Sequence, residues 1–210
     1  MIKAIVFDMD GVLIEAKDWH YEALNKALRL FGHEISRADH LTTYDGLPTA
    51  RKLEMLSIER GGLPIELHKF INEMKQQYTM EIVQTQCKPR FIHEYALSKL
   101  KSEDYKLGVA SNSIRSTIDV MMQKSCLHGY FDVILSADDV TNPKPDPEIY
   151  VTAIQRLELD PDEVLIVEDN ENGIKAARGS GAHVLVVEQV DDVNYKNILT
   201  KIHQVTSEVS

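Results

Sequence analysis

The apolar residues of this chain keep two different rhythms. Near the start they run unbroken, as Ala4-Ile5-Val6-Phe7. A run of β-branched and aromatic residues of this kind predicts a strand buried on both faces, in the middle of a parallel sheet. The strand delivers Asp8-Met9-Asp10-Gly11 at its C-terminal tip. Residues two apart on extended chain point the same way, so the two carboxylates address one small object. Gly11 lets the backbone turn at once and come close to it. Asp and Gly are also ordinary turn residues, but a turn alone does not call for so apolar a strand before it.

Beyond the turn the spacing becomes helical. Trp19, Ala23, Leu24, Ala27, Leu28 and Phe31 predict a helix that Gly32 stops, with Trp19 in its core. Asp45-Gly46-Leu47-Pro48-Thr49 predicts a turn whose Thr49 caps a helix through Leu53 and Leu56, broken at Gly61-Gly62. A long helix from about Pro64 then carries Leu67, Phe70, Ile71, Met74, Tyr78 and Ile82 on one face. From about Lys88 helix and strand alternate. Strands are predicted over residues 106–110, 131–135, 164–167 and 183–187, and helices over 91–100, 114–122, from Asp146-Pro147, and over 172–180. This is the pattern of an α/β fold, a doubly wound parallel sheet with right-handed crossovers. Residues 1–14 and 87–210 form its core, and the all-helical stretch 15–86 is inserted after the first strand.

Composition narrows the class of partner. A formal net charge of −10 argues against nucleic acid or an anionic membrane surface as a partner. Any phosphate site must therefore draw positive character locally, from a metal, a lysine and backbone amides. Cys87 and Cys126 have no metal-binding or redox spacing. No apolar run approaches membrane-spanning length, and the chain runs directly into a core strand; the expectation is a cytoplasmic protein.

The candidate chemistry lies at the strand ends. Asp8 and Asp10 follow the first strand, Ser111 and Asn112 the second, and Glu168 and Asp169 the fourth. Lys144 lies between prolines in Asn142-Pro143-Lys144-Pro145, on the loop after the third strand. In a parallel sheet these tips share one edge. Each group also has a plainer reading: Ser111-Asn112-Ser113 as a helix N-cap, Lys144 as a loop lysine, Glu168-Asp169 as charges favouring a helix N-terminus. Together they make more. Four carboxylates at one edge repel one another unless a cation binds, and hard oxygen ligands suit Mg²⁺. Metal, lysine, hydroxyl and amide beside a free carboxylate compose a phosphoryl-transfer centre.

Asp8-Met-Asp10-Gly11-Val12, Ser111-Asn112, Lys144-Pro145 and Glu168-Asp169, in this order, resemble the four motifs of the haloacid dehalogenase superfamily. The stretches from Lys144 to Tyr150 and from Val167 to Ala177 resemble it too. The likeness covers essentially the whole chain. It points to the subgroup with a helical cap after the first motif, which includes β-phosphoglucomutase and phosphoglycolate phosphatase. The resemblance implies that Asp8 is the nucleophile and Asp10 the acid and base. It implies Mg²⁺ held by Asp8, the Asp10 carbonyl and Asp169, with Glu168 as a further ligand or as the group that orients them. Gly11, Ser111, Asn112 and Lys144 would surround the phosphate. In the cap, His20, Lys75, Arg51 and Lys52 are candidates for touching the leaving group. The implied activity is a phosphatase of a small phosphorylated metabolite acting as monomer or homodimer, with a phosphomutase as the alternative. A receiver-type phospho-aspartate domain is disfavoured by the helical insert and by Asp10, and a metal-free dehalogenase leaves Asp10, Glu168 and Asp169 unexplained. Glu15-Ala16 stand where the family usually has Asp then Ser or Thr, Pro143 replaces a common glycine, and so does Arg90.

Overall fold

A computed structural model describes residues 1–44, 46–61 and 63–208. Asp45 of the expected turn and Gly62 of the expected helix break lie outside the described residues. Short 3₁₀ turns aside, the first half of the chain forms β1 (Ala4–Phe7), α1 (Lys17–Arg29), α2 (Arg37–Thr42), α3 (Thr49–Arg60), α4 (His68–Gln86) and α5 (Phe91–Ser102). There follow β2 (Lys106–Ala110), α6 (Arg115–Lys124), β3 (Val133–Leu135), α7 (Glu148–Arg156), β4 (Val164–Glu168), α8 (Glu171–Gly179), β5 (His183–Val186) and α9 (Tyr195–Glu208). Among the described residues no helix is long and apolar enough to cross a membrane. Two compact units result, Met1–Glu15 with Lys88–Ser210, and Ala16–Cys87.

In the first unit the five strands form one parallel sheet in the order β3-β2-β1-β4-β5. The chain winds outward from β1 through β2 and β3, then returns to lay β4 and β5 on the other side. That reversal occurs beside β1, and the crevice at the strands' carboxyl ends there is where open α/β sheets gather ligands. Register brings the tips level: Phe7 lies opposite Val109 of β2 and Val167 of β4. Every side chain of β1 is fully buried, as its unbroken apolar run demands. On one face Ala4 and Val6 pack in a cluster with Ala110, Leu135, Ile149, Tyr150 and Ile166. Each fully buried Val, Ile or Phe contributes about 1.5–3 kcal/mol, so a charge placed at Val6 would forfeit that burial and leave an unpaired charge in the core.

The second unit is all helix. Gly32, at a φ of 76°, ends α1 in the left-handed region, and His33 N–H closes the turn on Leu28 O at 3.2 Å. Leu24, Ala27 and Leu28 pack with Ile35, Tyr44, Leu53, Leu56, Leu63 and Ile71. Several local expectations are corrected here. Trp19 is only partly buried. Thr49 is the first residue inside α3, and Pro48 takes the cap position with no side-chain bond. Of the expected face of α4, Ile71 is buried and Leu67, Met74 and Tyr78 pack half-buried on that apolar cluster. The buried line, however, is Ile71, Lys75, Thr79 and Val83, and Phe70 stays 47% exposed at the rim, edge-on to Phe31. The row spaced by four won because packing partners choose which face of a helix is buried. Two helices went unforeseen: α2, capped by Ser36 accepting from Asp39 N–H, and α9, which buries Ile198, Ile202 and Val205. In the first unit α7 begins at Glu148 with Pro147 as its cap residue, one position later than expected. Asp146 still helps, its Oδ1 accepting from Glu148 N–H at 2.9 Å.

Candidate active site

The site is built on β1. Its Asp8 continues the sheet for one more residue, donating its N–H to Val167 O at 3.0 Å, so the carboxyl is presented at the level where β1 and β4 end. The turn that follows is closed by Met9 O, which accepts from Leu13 and Ile14 N–H at 3.0 and 2.9 Å. Gly11 supplies the φ of 93° that this turn requires. Its N–H donates to Ile14 O at 2.7 Å and so helps close the turn itself. Asp10 Oδ2 accepts from Ser113 Oγ at 3.0 Å, which anchors that carboxyl to the end of β2.

Lys144 is the centre of the cluster and is 3% exposed. Its Nζ lies 2.6 Å from Asp8 Oδ1, 2.9 Å from Ala110 O, 2.7 Å from Tyr150 Oη and 2.7 Å from Glu168 Oε1. The backbone of this lysine is held by Asn112, whose Oδ1 accepts from Lys144 N–H at 3.0 Å and whose Nδ2 donates to Lys144 O at 3.3 Å. The Asn112 side chain therefore positions the lysine loop. Ser111 is buried, and its Oγ accepts from Ser113 N–H at 3.1 Å, which leaves the hydroxyl proton to donate.

Glu168 is fully buried, and both of its oxygens are engaged. Oε1 accepts from Lys144 and from Tyr150 O–H at 2.6 Å; Oε2 accepts from Asp169 N–H at 3.0 Å and from Asn170 Nδ2 at 3.3 Å. Asn170 in turn caps α8, its Oδ1 accepting from Gly173 N–H at 3.0 Å. Gly173 is required for a separate reason: a Cβ there would fall 1.8 Å from Glu168 Oε1. The carboxylate thus sits in a cradle that any side chain at 173 would fill.

One ligand atom each of Asp8, Glu168 and Asp169 lies within 4.8 Å of the others. Three carboxylate oxygens so close, against one lysine, are a hard donor set that a divalent cation fits. Glu168 has less to offer it than the other two, since its oxygens already serve the lysine, the tyrosine and two N–H groups. Burial pushes the Asp8 carboxyl well above the usual carboxylate range; Lys144 works against this, while Glu168, Asp169 and Asp10 add to it. Burial works to depress Lys144, but Asp8 and Glu168 outweigh it and hold the ammonium above the ordinary lysine range. Burial likewise pushes the Tyr150 hydroxyl well up, with Glu168 and Asp8 adding to the effect, so it is a proton donor.

Three partners were not singled out from the sequence, Asn170 among them, which lay only inside the stretch from Val167 to Ala177. Tyr150 appeared only as the end of the stretch that begins at Lys144, and Ser113 only as the tail of Ser111-Asn112-Ser113. The spacing of six from Lys144 to Tyr150 spans a loop and a helix start, so no local periodicity announces the contact.

The candidates in the helical unit are a separate matter. His20 Nδ1 and Lys75 Nζ lie 3.1 Å apart, and Lys75 is buried on the inner face of α4. Lys52 is also buried, whereas Arg51 is exposed and pairs with Glu54 at 3.0 Å.

A family model described as haloacid dehalogenase-like hydrolase matches residues 5–187. The chain is 30% identical over 192 residues to a phosphorylated carbohydrates phosphatase of Thermotoga maritima, covering 86% of this chain and 82% of that one. It is 29% identical over 180 residues to a phosphoglycolate phosphatase of Aquifex aeolicus, with coverage of 86% and 82%. Among solved structures, CbbY from Rhodobacter sphaeroides in complex with phosphate superposes with a TM-score of 0.81 at 25% identity, over 89% of this chain and 86% of the other. β-Phosphoglucomutase from Clostridium difficile shares the fold with a TM-score of 0.85 at 23% identity, over 99% and 100%.

Proposed function

The chain belongs to the haloacid dehalogenase-like hydrolases, and from that membership we propose that it is a Mg²⁺-dependent phosphatase. It takes a small phosphomonoester, a sugar phosphate first among them, through an aspartyl phosphate on Asp8. The observation that carries the reading is the convergence of Asp8, Lys144, Glu168 and Asp169 at the tips of β1 and β4. The names of the carbohydrate-phosphate and phosphoglycolate phosphatases among its relatives support the substrate class.

In this reading Asp8 attacks phosphorus, forming the Oδ–P bond as the bond from phosphorus to the leaving oxygen breaks. Asp10, held by Ser113, gives its proton to that leaving alcohol. As carboxylate it then takes a proton from water, whose oxygen attacks phosphorus and releases phosphate and free Asp8. Lys144 neutralises the nucleophile against an incoming anion and donates to the phosphoryl oxygens, where charge is greatest in the transition state. Ser111 donates its hydroxyl proton to the same oxygens. Asp8, Asp169 and the Asp10 carbonyl hold the metal, with Glu168 fixing the lysine and the adjoining backbone. Bound there, Mg²⁺ supplies charge neutralisation and a template for the transferred group. The unit Ala16–Cys87 is read as the cap that selects the leaving group, with His20, Lys75, Arg51 and Lys52 as its candidate contacts.

The test is phosphate release from a panel of sugar phosphates and phosphoglycolate, with Mg²⁺ or with EDTA. Release should require the metal, and Asp8→Asn should lower it by roughly 10⁴-fold or more. Release that persists in Asp8→Asn would sink the covalent route. Isomerised hexose phosphate outrunning release would make the enzyme a phosphomutase.

A further inference from the structure

Lys144 has more acceptors than protons. Four oxygens lie 2.6–2.9 Å from its Nζ, those of Asp8, Ala110, Tyr150 and Glu168. An ammonium carries three protons and offers no lone pair. The Tyr150 hydroxyl has one proton, and the acceptor within its reach is Glu168 Oε1 at 2.6 Å. The direction of each bond follows: tyrosine donates to Glu168 and accepts from Lys144.

From this we infer that Tyr150 is a positioning residue for the phosphoryl transfer, satisfying Glu168 so that Lys144 stays directed at Asp8. This rests on the phosphatase reading of the site. The remaining oxygen of Glu168 is covered by backbone and by Asn170. With the tyrosine in place, Glu168 Oε1 has a second donor at 2.6 Å, so its draw on the ammonium is shared and Lys144 keeps a proton for Asp8. Without the hydroxyl, Glu168 Oε1 has Lys144 alone, and a fully buried carboxylate oxygen with a single donor draws a cation strongly. The lysine then gives up part of its hold on Asp8 and on the phosphoryl oxygens that replace it as partners during turnover. Tyr150 touches neither substrate nor metal in this scheme; it acts through its two neighbours.

Tyr150→Phe is a clean probe because it keeps the ring. The aromatic face lies 4.5 Å from Lys144 Nζ, and the ring fills the core beside Ile149 and Ala153. Steady-state kinetics, a melting curve and titration with inorganic phosphate should be run side by side on wild type and variant. The expected result is a kcat about tenfold lower with KM nearly unchanged, the scale typical of a lost outer hydrogen bond, together with weaker phosphate binding. A kcat and a phosphate affinity both within about twofold of wild type would overturn the inference, because losing such an orienting partner ordinarily costs about 10–100-fold. If Tyr150→Phe does not fold, 3-fluorotyrosine at 150 keeps size and hydroxyl while making it a better donor and a poorer acceptor. Phosphate affinity should then still move, and an unchanged affinity would overturn the inference. A wild type that releases phosphate from nothing would instead strike at the phosphatase reading, while the phosphate titration would still judge Tyr150.

Discussion

Each of the two units buries lysine, Lys144 in the first and Lys75 with Lys52 in the second, and the contrast between Lys144 and Lys75 separates two kinds of polar interior. Lys144 meets the carboxylates of Asp8 and Glu168 and the hydroxyl of Tyr150, all within 2.7 Å. Lys75, in the middle of α4, lies 3.1 Å from an imidazole nitrogen of His20, on a face that also buries Ile71, Thr79 and Val83. The first arrangement is charge against charge, in a place where a lone charge is intolerable. The second sets a lysine against an imidazole, on an otherwise largely apolar helix face. A lysine locked between two carboxylates belongs to chemistry that does not vary with substrate. On the proposed function, a lysine beside a histidine is a candidate contact for an anion or hydroxyl of the leaving group.

Removing each lysine's charge in turn puts that contrast at risk. Lys144→Met leaves Asp8 and Glu168 buried together without a cation. It should lower unfolding free energy by about 3–5 kcal/mol in denaturant titrations with EDTA present, and abolish turnover. Gly173→Ala tests the same cradle from the helix side. The new Cβ would overlap Glu168 Oε1, so the carboxylate or α8 must move, at a cost of about 1–3 kcal/mol and with reduced kcat. Lys75→Met should cost less than Lys144→Met, about 1 kcal/mol, the scale of the part-buried hydrogen bond it takes from His20 Nδ1. Its effect belongs in the ranking of substrates by kcat/KM. Should Lys75→Met unfold the protein as readily as Lys144→Met, the two lysines would be equivalent structural pairs and the contrast would fall.

The cradle around Glu168 also marks where local reading of the chain stops. Asp8, Asp10, Ser111, Glu168 and Asp169 were legible because they stand at the ends of buried apolar strands, which a parallel sheet brings to one edge, and Lys144 because prolines flank it on the loop after β3. Asn112 was legible as a site residue but not in its task, since a side chain that brackets a peptide 32 residues away leaves no mark on local spacing. Tyr150 and Ser113 are of the same kind. In the helical unit the amphipathic rhythm announced α1, α3 and α4. It did not choose which line of α4 turns inward, because Phe70-Met74 and Ile71-Lys75 are both helical rows and only the packing partner selects between them.

Local sequence therefore settles where the strands run and which chemical groups stand at the tips of the buried ones, β1, β2 and β4, whereas β5, expected as a core strand, is only half-buried. Both follow from local covalent facts: β-branched runs favour extension and burial, and a residue's place at a strand end follows from its position in the chain. The pairing of those groups is a tertiary matter. That Tyr150 donates to Glu168, that Gly173 must lack a side chain, and that Asn112 holds a lysine loop all depend on distances between elements far apart in the chain. Hydrogen bonds and steric exclusion act over a few ångströms of space, whatever the separation along the backbone.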